Sequence, residues 1–152
     1  MSEAMHALGV PTTRALAAIA TGEKVFRQRP EPGAVLTRVA RSHLRIGTVQ
    51  YFAMSQQGEG VAELASYVAE RHFPDALAKA EDKHSSAAAA RVLLAETGKR
   101  LASLTAHWQS MGFIHGVLNT DNMLLSGDTV DYGLCAFMDD HDPSKVFSSI
   151  DT

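Results

Sequence analysis

The feature that most constrains the fold of this chain is a pair of short apolar runs near its C-terminal end. Leu124-Leu125 and Thr129-Val130 flank the tight-turn sequence Ser126-Gly127-Asp128. Because such a turn reverses the chain, we expect the two runs to pair as a hairpin. The polar residues just outside the hairpin, Asn122 on one arm and Asp131 on the other, would then lie close together.

These polar residues form a candidate metal and phosphate site. Asp121, Asn122 and Asp131 carry hard oxygen donors, the ligand type that Mg²⁺ prefers. The alternative is that Asn119, Thr120 and Asp121 are turn-forming residues that satisfy local backbone groups, while Asp131 only ends a strand. Spacing by itself leaves both interpretations open.

A long amphipathic helix is predicted directly before this region, from about Ser85 to Ser110. Its apolar stripe lies at helical spacing and comprises Leu94, Leu101, Leu104 and Trp108. Gly112 follows as the kind of residue that ends many helices.

Shorter elements are predicted in the N-terminal third. Residues 2–8 suit a helix, and residues 14–20 and 24–27 suggest the two arms of a hairpin. Residues 34–40 are rich enough in β-branched side chains for a buried strand, with Arg38 on the face opposite its apolar neighbours.

The middle of the chain is predicted to be mostly helical. Residues 48–54 are ambiguous, and residues 56–60 are typical of a loop. A helix that must end before Pro74 is indicated by the spacing of Val61, Leu64 and Val68. Residues 76–83 are expected to form a short irregular connection.

Composition narrows the class of protein. The chain has 152 residues, 45% of them apolar, which suffices for one core and excludes disorder throughout. A net charge of -3 and the lack of a basic run argue against nucleic acid and anionic membranes as partners. The sequence shows neither a membrane span nor a signal peptide, and its single cysteine, Cys135, forms no internal disulfide. We therefore expect a cytoplasmic protein.

The order of these features is that of the large lobe of protein kinases. In kinases a loop reading His-Arg-Asp-Leu, three residues and Asn is followed by a hairpin and by Asp-Phe-Gly. The same register here runs from His115 to Asn122, and Asp131-Tyr132-Gly133 follows. Val117 stands where the kinase catalytic aspartate belongs, so activation of a substrate hydroxyl from that position is excluded.

This departure resembles the selenoprotein O (YdiU) family of kinase-like protein adenylyltransferases. Family members carry His-Gly-Val-x-Asn-Thr-Asp-Asn-Met followed by Asp-Tyr-Gly, as this chain does at residues 115–123 and 131–133. Further matches follow the same order along the chain: Ser-Glu-Ala-Met-His-Ala-Leu-Gly at residues 2–9, Arg38-Val39-Ala40, and Ser42-His43-Leu44-Arg45.

The resemblance implies an α+β, protein kinase-like fold and a chain that is one part of it. Residues 1–152 would be a single partial domain, with the end of the small lobe and the hinge in roughly residues 1–54. The first half of the large lobe would occupy roughly residues 55–152, with the catalytic loop at 113–125. Family members are several times longer, so we expect the Gly-rich phosphate loop and the phosphate-binding lysine in a preceding segment. This chain alone should then have little activity.

The resemblance also implies a function and assigns roles to residues. Asp121 would be the general base, Asn122 and Asp131 would hold Mg²⁺, and Arg38 and Arg45 would bind ATP phosphates, with Asp131 also at the nucleotide. Family members bind ATP in a flipped pose that exposes the α-phosphate. AMP is then transferred to a Ser, Thr or Tyr hydroxyl of a protein.

Other interpretations stay open. Val117 favours a non-catalytic pseudokinase scaffold, and a conventional phosphotransferase is the third possibility. His115 is expected to be a structural hydrogen-bonding residue and Cys135 a small apolar filler. Residues 139–142 are expected to form a solvated loop rather than a metal cluster.

Overall fold

The structure is a computed structural model that describes residues 1–147. Its helices are α1 (Ser2–Ala7), α2 (Ile46–Met54), α3 (Gly58–His72), α4 (Pro74–Ala78) and α5 (Ser86–Ser110). Its strands are β1 (Arg14–Phe26), β2 (Pro30–Val39), β3 (Phe113–Ile114) and β4 (Ala136–Phe137). β1 pairs antiparallel with β2, and β3 pairs antiparallel with β4. This mixture of helices and strands agrees with the expected α+β class.

β1 and β2 form a long hairpin, and it is not the one predicted. Its register runs from the pair Arg14–Val39 to the pair Phe26–Pro30. The shorter hairpin predicted inside β1 is wrong, because the chain continues past Gly22 as one strand. Gly22 has a φ of +78° and lies in a register irregularity, so it produces a bulge rather than a reversal.

This hairpin is largely uncovered within residues 1–147. Val35 and Val39 are 56% and 49% exposed, so the prediction of a buried strand over residues 34–40 is wrong. Leu16 and Ile19 on β1 are exposed as well. β-branched residues favour a strand wherever it lies, so their presence indicated the strand but not its burial.

The middle of the chain is more helical than predicted. The ambiguous residues 48–54 belong to α2, and α3 already begins inside the predicted loop of residues 56–60. α3 ends before Pro74, as expected. Pro74 also starts α4, so the irregular connection predicted for residues 76–83 is wrong at its beginning. Proline is well tolerated in a first helical turn, where its missing N–H needs no partner.

α5 matches the predicted long helix. The Ser85 hydroxyl caps it by accepting a hydrogen bond from the Ala88 N–H, and Gly112 follows its end with a φ of +69°. Leu104 and Trp108 are buried as predicted. The assignment of Leu94 to the apolar stripe is wrong, because Leu94 is 78% exposed and its neighbour Leu93 is buried instead.

α5 contributes to two buried clusters, which contain the two ends of the predicted catalytic loop. One cluster comprises Met5, Val10, Leu104, Trp108 and Phe113, and the other comprises Ala65, Val68, Phe73, Leu93 and Leu125. The first and last residues of the catalytic loop, Phe113 and Leu125, therefore belong to different clusters. Packing thus holds the loop at both ends. No helix in residues 1–147 has the length and apolar character needed to cross a membrane.

Candidate active site

A short, buried hairpin forms the frame of the site. Met123 pairs with Thr129, and the Val130 N–H donates to the Asn122 carbonyl at 3.0 Å. The Leu124 N–H donates to the Asp128 carbonyl at 2.9 Å. The hairpin therefore lies at the predicted turn, but the predicted pairing of Leu124-Leu125 with Thr129-Val130 is wrong because the register is shifted. The backbone bond between Asn122 and Val130 brings Asn122 next to the residue that precedes Asp131.

Hydrogen bonds within the loop hold the backbone of Asp121 and Asn122 and orient the Asn122 side chain. The Asn119 Oδ1 atom accepts hydrogen bonds from the N–H groups of Asp121 and Asn122, both at 3.1 Å. The Asn122 Nδ2 atom donates to the Val117 carbonyl at 2.7 Å. Asn119 thus has the turn-forming role of the alternative interpretation. With Nδ2 engaged in this bond, the amide oxygen is the end of Asn122 that suits a metal.

Arg38 lies beside Asp131. Its Nη1 atom donates to the Val130 carbonyl at 2.8 Å, and its Nη2 atom is 4.0 Å from Asp131 Oδ2. Thr13, which is fully buried, donates from its hydroxyl to the same carbonyl at 2.6 Å. The Arg38 and Asp131 side chains are 25% and 41% exposed, so the pair is accessible from solvent. Arg38 and Asp131 also line a pocket of about 340 Å³ with Glu3 and Tyr132.

Arg45 is placed differently. It precedes α2, its side chain is exposed, and its backbone lies opposite Leu124 in an isolated bridge. Within residues 1–147 no ion pair joins its guanidinium to Asp131 or to another carboxylate. The structure therefore brings together Arg38, Asn122 and Asp131 but shows no such contact for Arg45.

His115 is a buried structural residue, in agreement with its expected role. Its Nε2 atom lies 2.9 Å from the Asp131 carbonyl oxygen, and its ring stacks on Trp108 at 5.1 Å between centroids. Gly116 follows with a φ of +76°, and a Cβ there would overlap the Leu134 carbonyl. The loop can therefore run close to the segment after Asp131 only because residue 116 has no side chain.

An ion pair that the sequence did not reveal holds the turn of the short hairpin. The buried Asp128 carboxylate accepts hydrogen bonds from Arg41 at 2.6 and 3.2 Å and from the Ser126 hydroxyl at 3.0 Å. Arg100 donates to the Ser126 carbonyl at 2.9 Å, and its burial lowers the pKa of its guanidinium. The sequence indicates Asp128 only as a turn former, because no local pattern connects it to an arginine far along the chain.

Burial shifts the pKa of two groups just after Asp131, Tyr132 and Cys135. It raises the pKa of Tyr132 to about 12. It likewise raises the pKa of the Cys135 thiol, which packs against the cluster around Trp108. The apolar-filler interpretation of Cys135 is consistent with this packing, because a partly buried thiol with a raised pKa is a weak nucleophile.

The donor set suits a metal shared with phosphate rather than an all-protein cage. Across residues 1–147 no group of three or more His, Cys, Asp or Glu side chains is arranged to hold a metal ion. Asn122 and Asp131 offer one amide oxygen and one carboxylate. Mg²⁺ usually keeps several water ligands and takes only one or two carboxylates together with substrate phosphates, so these residues fit it chemically.

Comparison with known proteins identifies the family. The family model described as "Protein adenylyltransferase SelO" matches residues 1–152, the whole chain. The chain belongs to the SelO family. It is similar to proteins named "Protein nucleotidyltransferase YdiU" from three bacteria. Identity is 56% over 152 residues with that of Halalkalibacterium halodurans, and 58% and 57% over 151 residues with those of Chromobacterium violaceum and Rhizobium meliloti.

Coverage of these SelO-family relatives is one-sided. The alignments include 99–100% of this chain but only 29–30% of each relative. The chain therefore spans about 30% of the length of the curated relatives it matches. The family is therefore one of enzymes that transfer nucleotides.

Proposed function

We propose that the protein carrying this segment transfers AMP from ATP to Ser, Thr or Tyr hydroxyls of other proteins. One observation carries the proposal. Val117 occupies the position of the kinase catalytic aspartate, while Asp121 precedes Asn122 on a loop whose backbone is bonded to the strand leading into Asp131. A carboxylate base and a metal-binding pair are thus combined in one loop and hairpin. We propose that the loop and hairpin are part of a kinase-like fold in the longer protein.

Asp121 is proposed to act as the general base. Its side chain is exposed, so an acceptor hydroxyl can reach it, and its backbone N–H is held by Asn119. As the hydroxyl oxygen forms a bond to the α-phosphorus, the bond from that phosphorus to the bridging oxygen of the β-phosphate breaks. Asp121 takes the hydroxyl proton, pyrophosphate leaves, and AMP stays on the acceptor.

The arginines are proposed to hold the phosphates. Arg38 is anchored through Val130 and lies near the Asp131 carboxylate, so its guanidinium is restrained where phosphate and metal would meet. Arg45 is proposed as a second phosphate contact that forms when ATP is present. Asn122 and Asp131 would hold Mg²⁺, which would offset negative charge on the phosphate oxygens.

The proposal concerns the longer family protein rather than this segment alone. We call a full-length family protein that carries these 152 residues the full-length parent. The phosphate-binding lysine and Gly-rich loop are proposed to lie in its other parts, and the protein is proposed to act in the cytoplasm. Without those parts, the segment has only some of the ATP-binding residues, so we expect it to have little activity.

Labelled ATP tests the reaction. The full-length parent is incubated with a generic protein acceptor, Mg²⁺ and ATP labelled on either the α- or the γ-phosphate. We expect the acceptor to retain α-label only. Asp121→Asn should lower the rate of labelling by about 10²–10⁴-fold, the usual contribution of a general base, while Asp139→Ala, an exposed carboxylate elsewhere, should leave it unchanged. Retention of γ-label would instead identify a phosphotransferase. Absence of both labels, with a folded protein, would favour the scaffold that Val117 suggests.

A further inference from the structure

The first turn of α2 is bonded to the catalytic loop. The Gly47 N–H donates to the Thr120 carbonyl at 2.9 Å, and the Ile46 N–H donates to the Met123 carbonyl at 3.0 Å. Further along α2, the Gln50 Oε1 atom accepts a hydrogen bond from the Thr120 hydroxyl at 3.0 Å. These bonds involve both backbone and side chains. They leave the backbone of residue 47 little freedom to move away from the loop.

The absence of a side chain at Gly47 leaves room for the carboxylate of the proposed base, Asp121. A Cβ atom built on Gly47 would lie 2.6 Å from Asp121 Oδ1 and 3.5 Å from the Thr120 carbonyl oxygen. The second distance is an ordinary contact, whereas the first is closer than non-bonded atoms approach. The carboxylate therefore occupies the space that any larger residue at position 47 would need.

The need at position 47 is for space and not for an unusual backbone conformation. Gly47 is the second residue of α2 and has an ordinary helical backbone, unlike Gly112 or Gly116 with their positive φ. Any L-residue can adopt that conformation. A helix N-terminus also carries partial positive charge, so it suits a neighbouring carboxylate such as that of Asp121.

We propose that Gly47 is a positioning residue, whose bare backbone in the first turn of α2 seats the Asp121 carboxylate in the rotamer that accepts the hydroxyl proton. This rests on the proposed role of Asp121 as general base. In an alanine variant the hydrogen bonds hold the backbone in place, so the clash is relieved by rotation of the Asp121 side chain. The fold is retained, but the base points elsewhere.

If Gly47 has this role, Gly47→Ala should lower activity without lowering stability. Alanine is a better helix former than glycine, so Gly47→Ala should not lower the melting temperature. Gly58→Ala is the matched control, because Gly58 also lies in the first turn of a helix and a Cβ there meets no atom within 4 Å. It gains the same helix propensity without touching Asp121.

The test uses the full-length parent and α-labelled ATP. For Gly47→Ala we expect kcat to fall by about 10²-fold, the size of effect that misplacing a reacting group produces, with KM for ATP and the melting temperature maintained. Gly58→Ala should keep the parental kcat. The inference is overturned if Gly47→Ala keeps the parental kcat, or if its loss of activity is accompanied by a lower melting temperature.

A double variant shows whether the effect passes through Asp121. If it does, adding Gly47→Ala to Asp121→Asn reduces the residual rate no further, whereas a full additional loss would mean that Gly47 acts elsewhere and would overturn the inference. Asp121→Asn alone tests the proposed function. If that variant keeps the parental rate, both the proposed base and the role of Gly47 are contradicted. If Asp121→Asn is strongly impaired but Gly47→Ala is fully active, only the role of Gly47 is contradicted.

Discussion

The two hairpins of this chain differ in a way that strand propensity does not predict. The long hairpin of β1 and β2 has the extended ladder, yet Leu16 and Ile19 on it are 71% and 63% exposed. The short hairpin around residues 126–128 has almost no ladder, yet Leu124 and Thr129 are fully buried. Tertiary contacts, rather than the number of paired residues in the ladder, therefore determine which hairpin is buried.

The contacts of the short hairpin explain its rigidity. Leu125 packs in the cluster between α3 and α5, and the Thr97 hydroxyl donates to its carbonyl at 2.8 Å. By contrast, a two-stranded sheet alone is marginally stable in water. The long hairpin meets the rest of the described chain mainly at its base, where the Thr13 N–H donates to the Thr129 carbonyl at 3.2 Å. Asn122 and Asp131 thus depend on the well-packed hairpin, and Arg38 on the exposed one.

The largest effect is expected at Asp131 on the well-packed side. In the full-length parent, Asp131→Ala should weaken magnesium-dependent ATP binding by several kcal/mol, or roughly 10²–10³-fold, since it removes the only carboxylate of the proposed metal pair. Calorimetric titration with ATP in the presence and absence of Mg²⁺ measures this. Asp139→Ala removes an exposed carboxylate further along the chain and should bind ATP normally. An unchanged affinity in Asp131→Ala would contradict the metal role.

A pair of leucines tests the packing contrast directly. In the 152-residue chain, Leu124→Ala should lower the free energy of unfolding by about 2–5 kcal/mol, because the side chain is fully buried. Leu16→Ala should change it by less than about 0.5 kcal/mol, because the side chain is mostly exposed. Chemical denaturation measures both. A large loss for Leu16→Ala in the full-length parent alone would show that other parts of the protein cover the long hairpin.

Alkaline titration examines the end of the well-packed region. Burial raises the pKa of Tyr132 from 10.0 to about 12, so the fold favours its neutral form. The resulting stability is complete below pH 10 and is lost as the pH rises towards 12. Absorbance titration should show one late tyrosine, with a pKa of about 12, that Tyr132→Phe removes. A late step that is absent from the parental chain, or that persists in Tyr132→Phe, would contradict the raised pKa of Tyr132.

The smallest effect is expected at the base of the long hairpin, on the acid side. Arg14 on β1 holds the pKa of Glu3 on α1 down from 4.5 to about 2 through hydrogen bonds to its carboxylate. The contribution of this pair to the free energy of unfolding is therefore present above pH 4.5 and lost as the pH falls towards 2. Because both groups are exposed, the change should be small. Glu3→Gln should remove it, and Glu63→Gln on an exposed position of α3 should not.

Much of the secondary structure was predictable because its signals are local. Ser85 and Gly112 define the ends of α5 through capping geometry, and Ser126-Gly127-Asp128 reverses the chain where predicted. The failures share a cause. Gly22 suits a turn or a bulge equally well, and Leu94 suits either of two adjacent helical stripes. In each case the chain that packs opposite decides between the alternatives.

The candidate site was also partly predictable. The order of Asp121, Asn122 and Asp131 around one turn was enough to expect Asn122 and Asp131 to lie near each other, and the hairpin bond between Asn122 and Val130 agrees with that expectation. No comparable signal pointed to the contact of Gly47 with Asp121 or to the ion pair of Arg41 with Asp128. Both join residues far apart in sequence.

The sequence by itself determined the family, the long helix with its caps and the set of oxygen donors available to a metal. These follow from residue identity and from backbone preferences that act over a few residues. Only the tertiary structure decided which hairpin is buried, which arginine meets Asp131 and which glycine seats Asp121. The physical reason is that close packing depends on the surfaces that distant segments bring together, and a gap as small as one missing methyl group has no signature in the local sequence.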